Sequence, residues 1–160
     1  MTFLLTVCIR ISCLFPLFAA PHSIELPVLA VIVHKSNPVQ DITRNQLRKL
    51  MLGEVREWPN QNKVVIVHRE PESMIFHAVL GKILHLTSLD YRRALLSAEF
   101  RGAQSLSVKI LRSDDGAAKF VWNVPGAIAV IDATPAIAHS SRVKIVRIEG
   151  KLPGDQGYGL

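Results

Sequence analysis

A turn that carries an arginine, two acids and a serine follows the apolar run Val64 to His68. Arg69 ends the run, the residues E-P-E at 70–72 fill the turn, and Ser73 precedes a helical pattern. A guanidinium is a two-pronged donor, and the first N–H groups of a helix have no intrahelical partner, so the turn could bind an oxyanion. The carboxylates oppose this chemistry, because each one about 6 Å from a negative charge costs roughly 3 kcal/mol at an effective dielectric of about 20.

The same turn has a structural interpretation, which the sequence favours. Ser73 can cap its helix by accepting a backbone N–H. Arg69 can pair with Glu70 or Glu72 in an exposed ion pair, and such pairs contribute little. Arg69 and Ser73 are therefore candidate ligand-binding residues whose alternative roles are an ion pair and a helix cap.

Three further polar residues stand where strands meet turns or helices. Ser36 and Asn37 follow the first predicted strand, and open α/β sheets bind ligands at the carboxyl ends of their strands. The alternative for both is an ordinary turn before Pro38. Ser113 opens a helix and could face an anion, but the two aspartates after it are first-turn acids that complement the helix dipole. A cap is the favoured role for Ser113.

Metal and catalytic chemistry have no support in the spacing of residues. The six histidines show no paired spacing such as H-E-x-x-H, and only His34 and His68, which both end strands, suggest a metal-binding or proton-binding pair. The chain has no G-x-S-x-G, no phosphate-binding P-loop and no glycine-rich dinucleotide turn. We expect no enzyme activity, no cofactor and no bound metal.

The elements that must position these residues alternate along the chain. Short β-branched runs alternate with longer helical patterns, which predicts an α/β fold. Most of the strands are too continuously apolar for a sheet with one wet face, so we expect a mostly parallel sheet with helices on both faces. The five predicted strands are Val28 to His34, Val64 to His68, Ser107 to Leu111, Ala127 to Ile131 and Val143 to Ile148.

Four helical patterns are predicted, each with an apolar stripe at helical spacing. They begin near Asp41–Thr43, Ser73, Thr87–Ser88 and Ser113, and Gly53 is expected to end the first. The predicted core stripes are Leu47, Leu50 and Met51; Phe76, Val79, Leu80 and Ile83; Tyr91, Ala94, Leu95 and Ala98; and Ala117, Phe120 and Val121.

Composition sets the number of domains and excludes one class of partner. A chain of 160 residues, 49% of them apolar, is long enough for one core and too short for two large ones. Its 19 Lys and Arg outnumber 13 Asp and Glu, but the charges are spread singly. No basic helix or aromatic-interleaved basic patch accompanies them, so we do not expect nucleic-acid binding.

The two ends of the chain differ from its middle. Residues 1–20 are mostly apolar and end in Ala19 and Ala20, which predicts a secretory signal and a periplasmic or secreted domain at 21–150. The alternatives are an uncleaved anchor and a mis-assigned start, because Arg10 lies in the middle of the segment. Both cysteines fall inside it, which excludes disulfides and thiolate metal sites from the mature domain. Residues 151–160 have few apolar residues and are expected to be a loose tail.

Several strings along the chain occur in a familiar order. They are V-I-V-H-K-S-N-P at 31–38, T-R-N-Q-L-R-K-L-M-L-G-E-V-R-E-W-P at 43–59, V-V-I-V-H-R at 64–69, E-F-R-G at 99–102 and N-V-P-G-A-I-A-V-I-D at 123–132. Together they resemble the phosphate-type substrate-binding proteins of ABC transporters, a branch of the type II periplasmic binding protein fold. The resemblance covers most of the chain from about Leu26 to Ile148.

The resemblance carries implications for the site. In that family the corresponding strand ends in an arginine, and a serine-glycine-threonine turn follows it and binds the anion. Arg69 and Ser73 stand at the matching places, whereas 70–72 and Met74 replace the rest of the turn. Full-length members hold the anion between two lobes, and this chain resembles a short, single-lobe branch. Donors from one side only imply weaker binding of free phosphate.

The function that the resemblance implies is non-catalytic recognition of a small, phosphate-like oxyanion for an ABC-type uptake system. The partner would be an ABC permease or another envelope protein, with membrane contact only through the signal segment or an uncleaved anchor. The alternative is a lobe that lost its ligand and serves as an interaction or sensor module of an envelope complex. The acidic turn at 70–72 favours that alternative.

Overall fold

The computed structural model describes residues 27–101 and 106–160. Its strands are β1 (Leu29–His34), β2 (Asp41–Ile42), β3 (Val65–Arg69), β4 (Ser107–Leu111), β5 (Ala127–Asp132), β6 (Val143–Ile145) and β7 (Arg147–Ile148). Its helices are α1 (Arg44–Met51), α2 (Met74–Ala78), α3 (Ser88–Arg101), α4 (Asp114–Asn123) and α5 (Ala133–Ala138), and a π-helical segment, Val79–Leu84, extends α2. The predicted signal segment lies outside the described residues and stays a prediction.

Five strands form the central sheet, in the order β4-β3-β5-β1-β6. β3 is parallel to β4 and β5, whereas β1 is antiparallel to β5 and β6. Four strands therefore point one way, and β1 points the other. The mostly parallel, five-stranded α/β sheet that the sequence predicts is confirmed.

The sheet divides the core into two layers, because successive side chains of a strand point to opposite faces. On one face, Val31, Val33 and Ile66 belong to the cluster that includes residues of α1, α2 and the π-helical segment. On the other face, Ala30 and Ile32 belong to the cluster with α4 and α5. Helices on both faces explain why the strands are continuously apolar. In the described ranges, no helix combines the length and apolarity needed to cross a membrane.

The first helix begins as the sequence predicts. Thr43 Oγ1 accepts the N–H of Gln46 at 3.1 Å, and Gln46 Oε1 accepts the N–H of Thr43 at 2.8 Å, so two otherwise unpaired donors are satisfied. Asp41, the alternative cap, lies in β2 instead and accepts the N–H of Gly150 at 3.1 Å. The predicted α1 stripe of Leu47, Leu50 and Met51 is buried.

The predicted strand Val143 to Ile148 is two strands in two sheets. β6 pairs with β1, and β7 pairs with β2 in a separate parallel ribbon. Between them, the N–H of Val146 donates to Val31 O at 2.9 Å. The apolar pattern does not reveal the break, because Val146 at the break is buried like Val143 before it and Ile148 after it.

Two more elements differ from the sequence prediction. α5 is an additional helix whose first turn contains Pro135; proline is tolerated there because the N–H groups of a first turn have no intrahelical partner. Asp132 Oδ1 caps it by accepting the N–H of Thr134 at 2.8 Å. The predicted loose tail is packed, since Tyr158 and Leu160 are 4% and 5% exposed within the first core layer.

The carbonyl of Gly126 locks the loop after α1 to the start of β5. It accepts the indole N–H of Trp58 at 2.9 Å and the N–H of Val65 at 3.0 Å. Backbone approaches Gly126 so closely that an added Cβ would lie 1.9 Å from Lys63 O. Only glycine fits at this position, which explains the glycine of the string P-G-A-I.

Gly126→Ala should destabilise the chain strongly. The added methyl group overlaps a backbone atom that cannot move without breaking the Trp58 and Val65 hydrogen bonds, so we expect a loss of about 3 kcal/mol or more. Urea unfolding followed by circular dichroism measures the change. The matched control is Gly81→Ala, where a Cβ meets nothing within 4 Å. Equal stability of the two variants would contradict the close approach at Gly126.

Candidate functional site

The direction of β1 separates the candidate site residues between two edges of the sheet. The last residue of β1, His34, pairs with Val143, whereas its first residue, Leu29, pairs with Asp132 at the carboxyl end of β5. The carboxyl end of β1 therefore lies at the edge opposite to the carboxyl ends of β3, β4 and β5. Ser36 and Asn37, which follow β1, are not brought together with Arg69.

Ser36 and Asn37 form a hydrogen-bonded turn at that opposite edge. Ser36 Oγ lies 2.8 Å from His34 Nδ1. Asn37 is 2% exposed, its Oδ1 accepts the N–H of Val39 at 3.0 Å, and its backbone carbonyl accepts Lys144 Nζ. Its Nδ2 is buried without a hydrogen-bond partner. These contacts fit the turn interpretation of the sequence.

Arg69 is held by the loop between β4 and α4. Its Nε donates to Leu111 O at 3.3 Å, its Nη2 donates to Arg112 O at 2.5 Å, and its Nη1 pairs with Asp114 Oδ1. The two side chains of the ion pair are only 13% and 16% exposed. The predicted ion pair of Arg69 with Glu70 or Glu72 does not form. A carboxylate oxygen of Glu70 instead lies 4.0 Å from Nε of Arg112. Three of the five N–H donors of Arg69 are thus used within the protein.

Ser73 and Ser113 both cap helices. Ser73 Oγ accepts the N–H of Phe76 at 3.1 Å, and Ser113 Oγ accepts the N–H of Gly116 at 3.0 Å. Each hydroxyl therefore satisfies one of the helix N–H groups that would otherwise be available to an anion. The cap interpretation that the sequence favours describes both serines in the structure.

A cavity of about 330 Å³ lies beside Arg69, between α3, β3 and β4. Its apolar lining comes from Phe76 on α2, Leu95 on α3, and Val108 and Ile110 on β4. The volume falls in the lower part of the range for small-ligand sites. The sequence did not predict this cavity, because it depends on how closely α3 approaches the edge strand β4.

The inner wall of the cavity contains a buried hydrogen-bond chain. His68 Nε2 bonds to the Tyr91 hydroxyl, and that hydroxyl lies 3.0 Å from Met51 O, to which it donates. Burial lowers the pKa of His68 to about 4 and raises the pKa of Tyr91. Both side chains are therefore uncharged at neutral pH.

The suggested His34 and His68 pair does not form. His34 lies at the carboxyl end of β1 and His68 near the carboxyl end of β3, and these ends are at opposite edges of the sheet. Across residues 27–101 and 106–160, no three His, Cys, Asp or Glu side chains are grouped so that they could hold a metal ion.

The charges at the mouth of the cavity come from three residues. Arg69, Arg92 and Glu72 all line it, and Arg69 is neutralised by Asp114. Arg92 and Glu72 are exposed, and neither has an ion-pair partner in the part of the chain that the structure describes. Arg92, which the sequence analysis did not select, is thus the cation with donors available to a ligand.

Burial of His68 should make stability depend on pH. Its pKa falls from 6.5 in the unfolded chain to about 4 in the folded chain, so the unfolded chain binds the proton more tightly. The contribution is complete above pH 6.5 and is lost as pH falls toward 4. We expect the His68 contribution to be about 2 kcal/mol smaller at pH 5 than at pH 8.

Urea unfolding of the chain and of His68→Phe at both pH values isolates this contribution. The difference in stability between the two proteins should shift with pH, because only one of them carries the buried imidazole. His77→Gln is the control, since His77 is exposed on α2. An unchanged difference between pH 5 and pH 8 would rule out the lowered pKa.

The ion pair of Arg69 and Asp114 should contribute to stability. Arg69→Gln removes the cation that pairs with Asp114, and the shorter side chain cannot reach the carbonyls of Leu111 and Arg112. We expect the free energy of unfolding to fall by about 2 kcal/mol. Arg112→Gln is the matched control, because the Arg112 side chain is 93% exposed, and it should change stability by less than about 0.5 kcal/mol. Chemical denaturation of both variants checks the prediction; equal losses would contradict it.

Comparisons with known proteins place the fold. Among solved structures, the chain is similar to an ABC-type phosphate transport receptor from Vibrio cholerae, with 22% identity, a TM-score of 0.60, and coverage of 79% of this chain and 48% of that chain. It is also similar to a phosphate ABC transporter substrate-binding protein with bound phosphate from Clostridium perfringens, with 21% identity, a TM-score of 0.62, and coverage of 79% of this chain and 47% of that chain. A third similar structure is PstS from Borrelia burgdorferi, with 14% identity, a TM-score of 0.64, and coverage of 79% of this chain and 49% of that chain.

The extent of these matches limits what they say about this chain. It spans about half the length of the solved structures it matches, and at these identities the likeness concerns the fold. A comparison with curated proteins gave no match. The model of the PBP superfamily domain matches residues 28–156, which include the whole sheet and both helical layers. The chain therefore belongs to the PBP superfamily.

Proposed function

We propose that the chain is a periplasmic or secreted, non-catalytic solute-recognition protein that binds a small, phosphate-like oxyanion for an ABC-type uptake system. Membership of the PBP superfamily and the phosphate-binding proteins among its structural neighbours support this proposal. An ABC permease is the partner that this role requires.

The observation that carries the proposal is the cavity beside Arg69. It lies beside the carboxyl end of β3, and open α/β sheets bind ligands at the carboxyl ends of their strands. Arg92 offers a guanidinium that is not engaged by another described side chain, and guanidinium groups bind oxyanions with two parallel hydrogen bonds. An oxyanion at the mouth of the cavity would therefore meet Arg92 first.

The roles of the residues predicted from sequence follow from this placement. Arg69 lines the cavity while bonded within the protein, and Ser73 and Ser113 cap the neighbouring helices. Ser36 and Asn37 would contact a ligand only at the other edge of the sheet. Donors from a single lobe imply modest affinity, unless a second lobe or a partner protein covers the ligand.

A second function is favoured by the neutralised arginine. Because Arg69 is paired with Asp114 and the adjacent turn carries Glu70 and Glu72, the place that matches the family anion site has little net positive charge. A PBP-like interaction or sensor module of an envelope complex needs no such charge. The exposed apolar side chains of Leu96 and Phe100 on α3, at 60% and 87% exposure, fit that role.

Thermal unfolding with and without millimolar phosphate, sulfate, molybdate or citrate, at constant ionic strength, tests the solute-binding proposal. A bound oxyanion stabilises the folded chain by RT ln(1 + [L]/Kd), about 2.7 kcal/mol at a hundredfold excess over Kd. We expect one of the oxyanions to raise Tm and the others to have little effect.

Two neighbouring arginines on α3 provide matched variants. Arg92→Gln should remove the oxyanion-dependent rise in Tm, because Arg92 lines the cavity. Arg93→Gln should retain it, because Arg93 pairs with Asp90 and lies outside the cavity lining. No rise with any oxyanion would favour the interaction module, and a rise that survives Arg92→Gln would place the ligand elsewhere.

A further inference from the structure

The cavity beside Arg69 exists because α3 covers only part of the sheet. α3 buries Tyr91 and Ala98, whereas Leu95 is only partly buried. On the edge strand β4, Val108 and Ile110 remain 37% and 57% exposed although both point to the face that α3 lies on. The fold thus leaves an uncovered apolar surface inside a concave site.

The floor of this cavity suits an apolar group of substantial size. Val108 and Ile110 alternate along β4, and Phe76 and Leu95 line the cavity from the two helices above. Its volume of about 330 Å³ is roughly twice that of the apolar cavity of 150 Å³ that admits benzene in an engineered protein. A ring with a short substituent would fit within it.

The inner wall offers no charge and few hydrogen bonds. His68 and Tyr91 bond to each other, and the Tyr91 hydroxyl also bonds to Met51 O. His68 is neutral at pH 7, because its pKa is about 4. An inorganic oxyanion that entered this space would lose its water without replacement, which costs several kcal/mol.

The charged side chains that line the cavity favour a ligand with a single negative charge. Arg92 can pair with one negative group, and Arg69 is already paired with Asp114. Glu72 lies on the same mouth and repels a second negative charge. The chain carries a formal net charge of +6, so its overall field favours an anion over a zwitterion or a cation.

We propose that the cavity binds an organic monoanion, with an apolar body against Leu95, Val108 and Ile110 and a carboxylate or similar singly charged group at Arg92. This inference rests on the part of the proposed function that places oxyanion recognition at Arg92, and it replaces inorganic phosphate as the ligand with an organic anion. It differs from recognition of inorganic phosphate in requiring the apolar body.

Isothermal titration of the chain with four probes tests the ligand class. Phenylacetate carries both the apolar body and one negative charge, acetate lacks the body, phenylalanine adds a positive charge, and inorganic phosphate lacks the body and carries more charge. We expect phenylacetate to bind at least about tenfold more tightly than acetate or phosphate, since burying a ring contributes more than 1.4 kcal/mol. Phenylalanine has the same ring, and we expect it to bind more weakly than phenylacetate because the net charge of +6 disfavours its ammonium group.

Paired variants locate the two halves of the ligand. Arg92→Gln should weaken phenylacetate binding about tenfold, through loss of a charge-assisted hydrogen bond, and Arg93→Gln should not. Ile110→Ala should weaken it about threefold to fivefold, through loss of partly exposed apolar contact. Leu96→Ala is its control, because Leu96 is equally exposed on α3 but lies outside the cavity lining.

Glu72→Gln tests the selection of charge. Removal of this carboxylate should strengthen phosphate binding relative to phenylacetate binding, because the repulsion falls most for the ligand with more negative charge. An unchanged ratio of the two affinities would overturn the role of Glu72.

The failure of this inference can be told apart from failure of the proposed function. If phosphate binds as tightly as phenylacetate and both depend on Arg92, the apolar subsite is refuted while oxyanion recognition stands. If phenylalanine binds more tightly than phenylacetate, the monoanion class is wrong. If no anion binds, both the inference and the proposed function are refuted.

Discussion

The antiparallel pairing of β1 with β5 is the constraint on which the arrangement of this molecule depends. β5 is parallel to β3 on one side and antiparallel to β1 on the other, so the sheet has one strand that runs against the rest. The polar turn after β1 is consequently carried to one edge, and the ends of β3, β4 and β5 meet at the other. The candidate ligand-binding residues Ser36 and Asn37 therefore lie at the opposite end of the strands from Arg69.

At the carboxyl end of β3, the protein itself accepts three of the hydrogen bonds that Arg69 can donate. Arg69 bonds to two carbonyls of the loop after β4 and to Asp114, and this ties β3 to the start of α4. A paired guanidinium stabilises the loop but presents less charge to a ligand than an unpaired one. Arg92 lines the same cavity and has no ion-pair partner among the described residues.

The edge strand β4 is the least covered strand of the described central sheet. Its residues are exposed or partly exposed, and one of its two sides has no strand partner in the described sheet. α3 lies over the neighbouring strand through Tyr91 and leaves Val108 and Ile110 accessible, which creates the cavity. The described residues line this cavity from α2, α3, β3 and β4.

The local elements of this fold were predictable, and the site was predictable only in part. The caps at Thr43, Ser73 and Ser113 and the apolar stripe of α1 depend on contacts within one or two helical turns, so sequence spacing is sufficient to find them. The short ribbon of β2 and β7 and the helix α5 were missed, because strands of two residues and a helix with proline in its first turn leave weak signals.

The sequence by itself determined the α/β class, the positions of the five central strands and the starts of α1 to α4, because these follow from periodicity and from neighbouring residues. Only the tertiary structure decided that β1 runs against β5, that Arg69 pairs with a residue 45 positions away, and that α3 leaves a cavity over β4. These features depend on pairing and packing between distant segments, and one sequence contains no local signal for the direction of a strand or for the partner of a side chain.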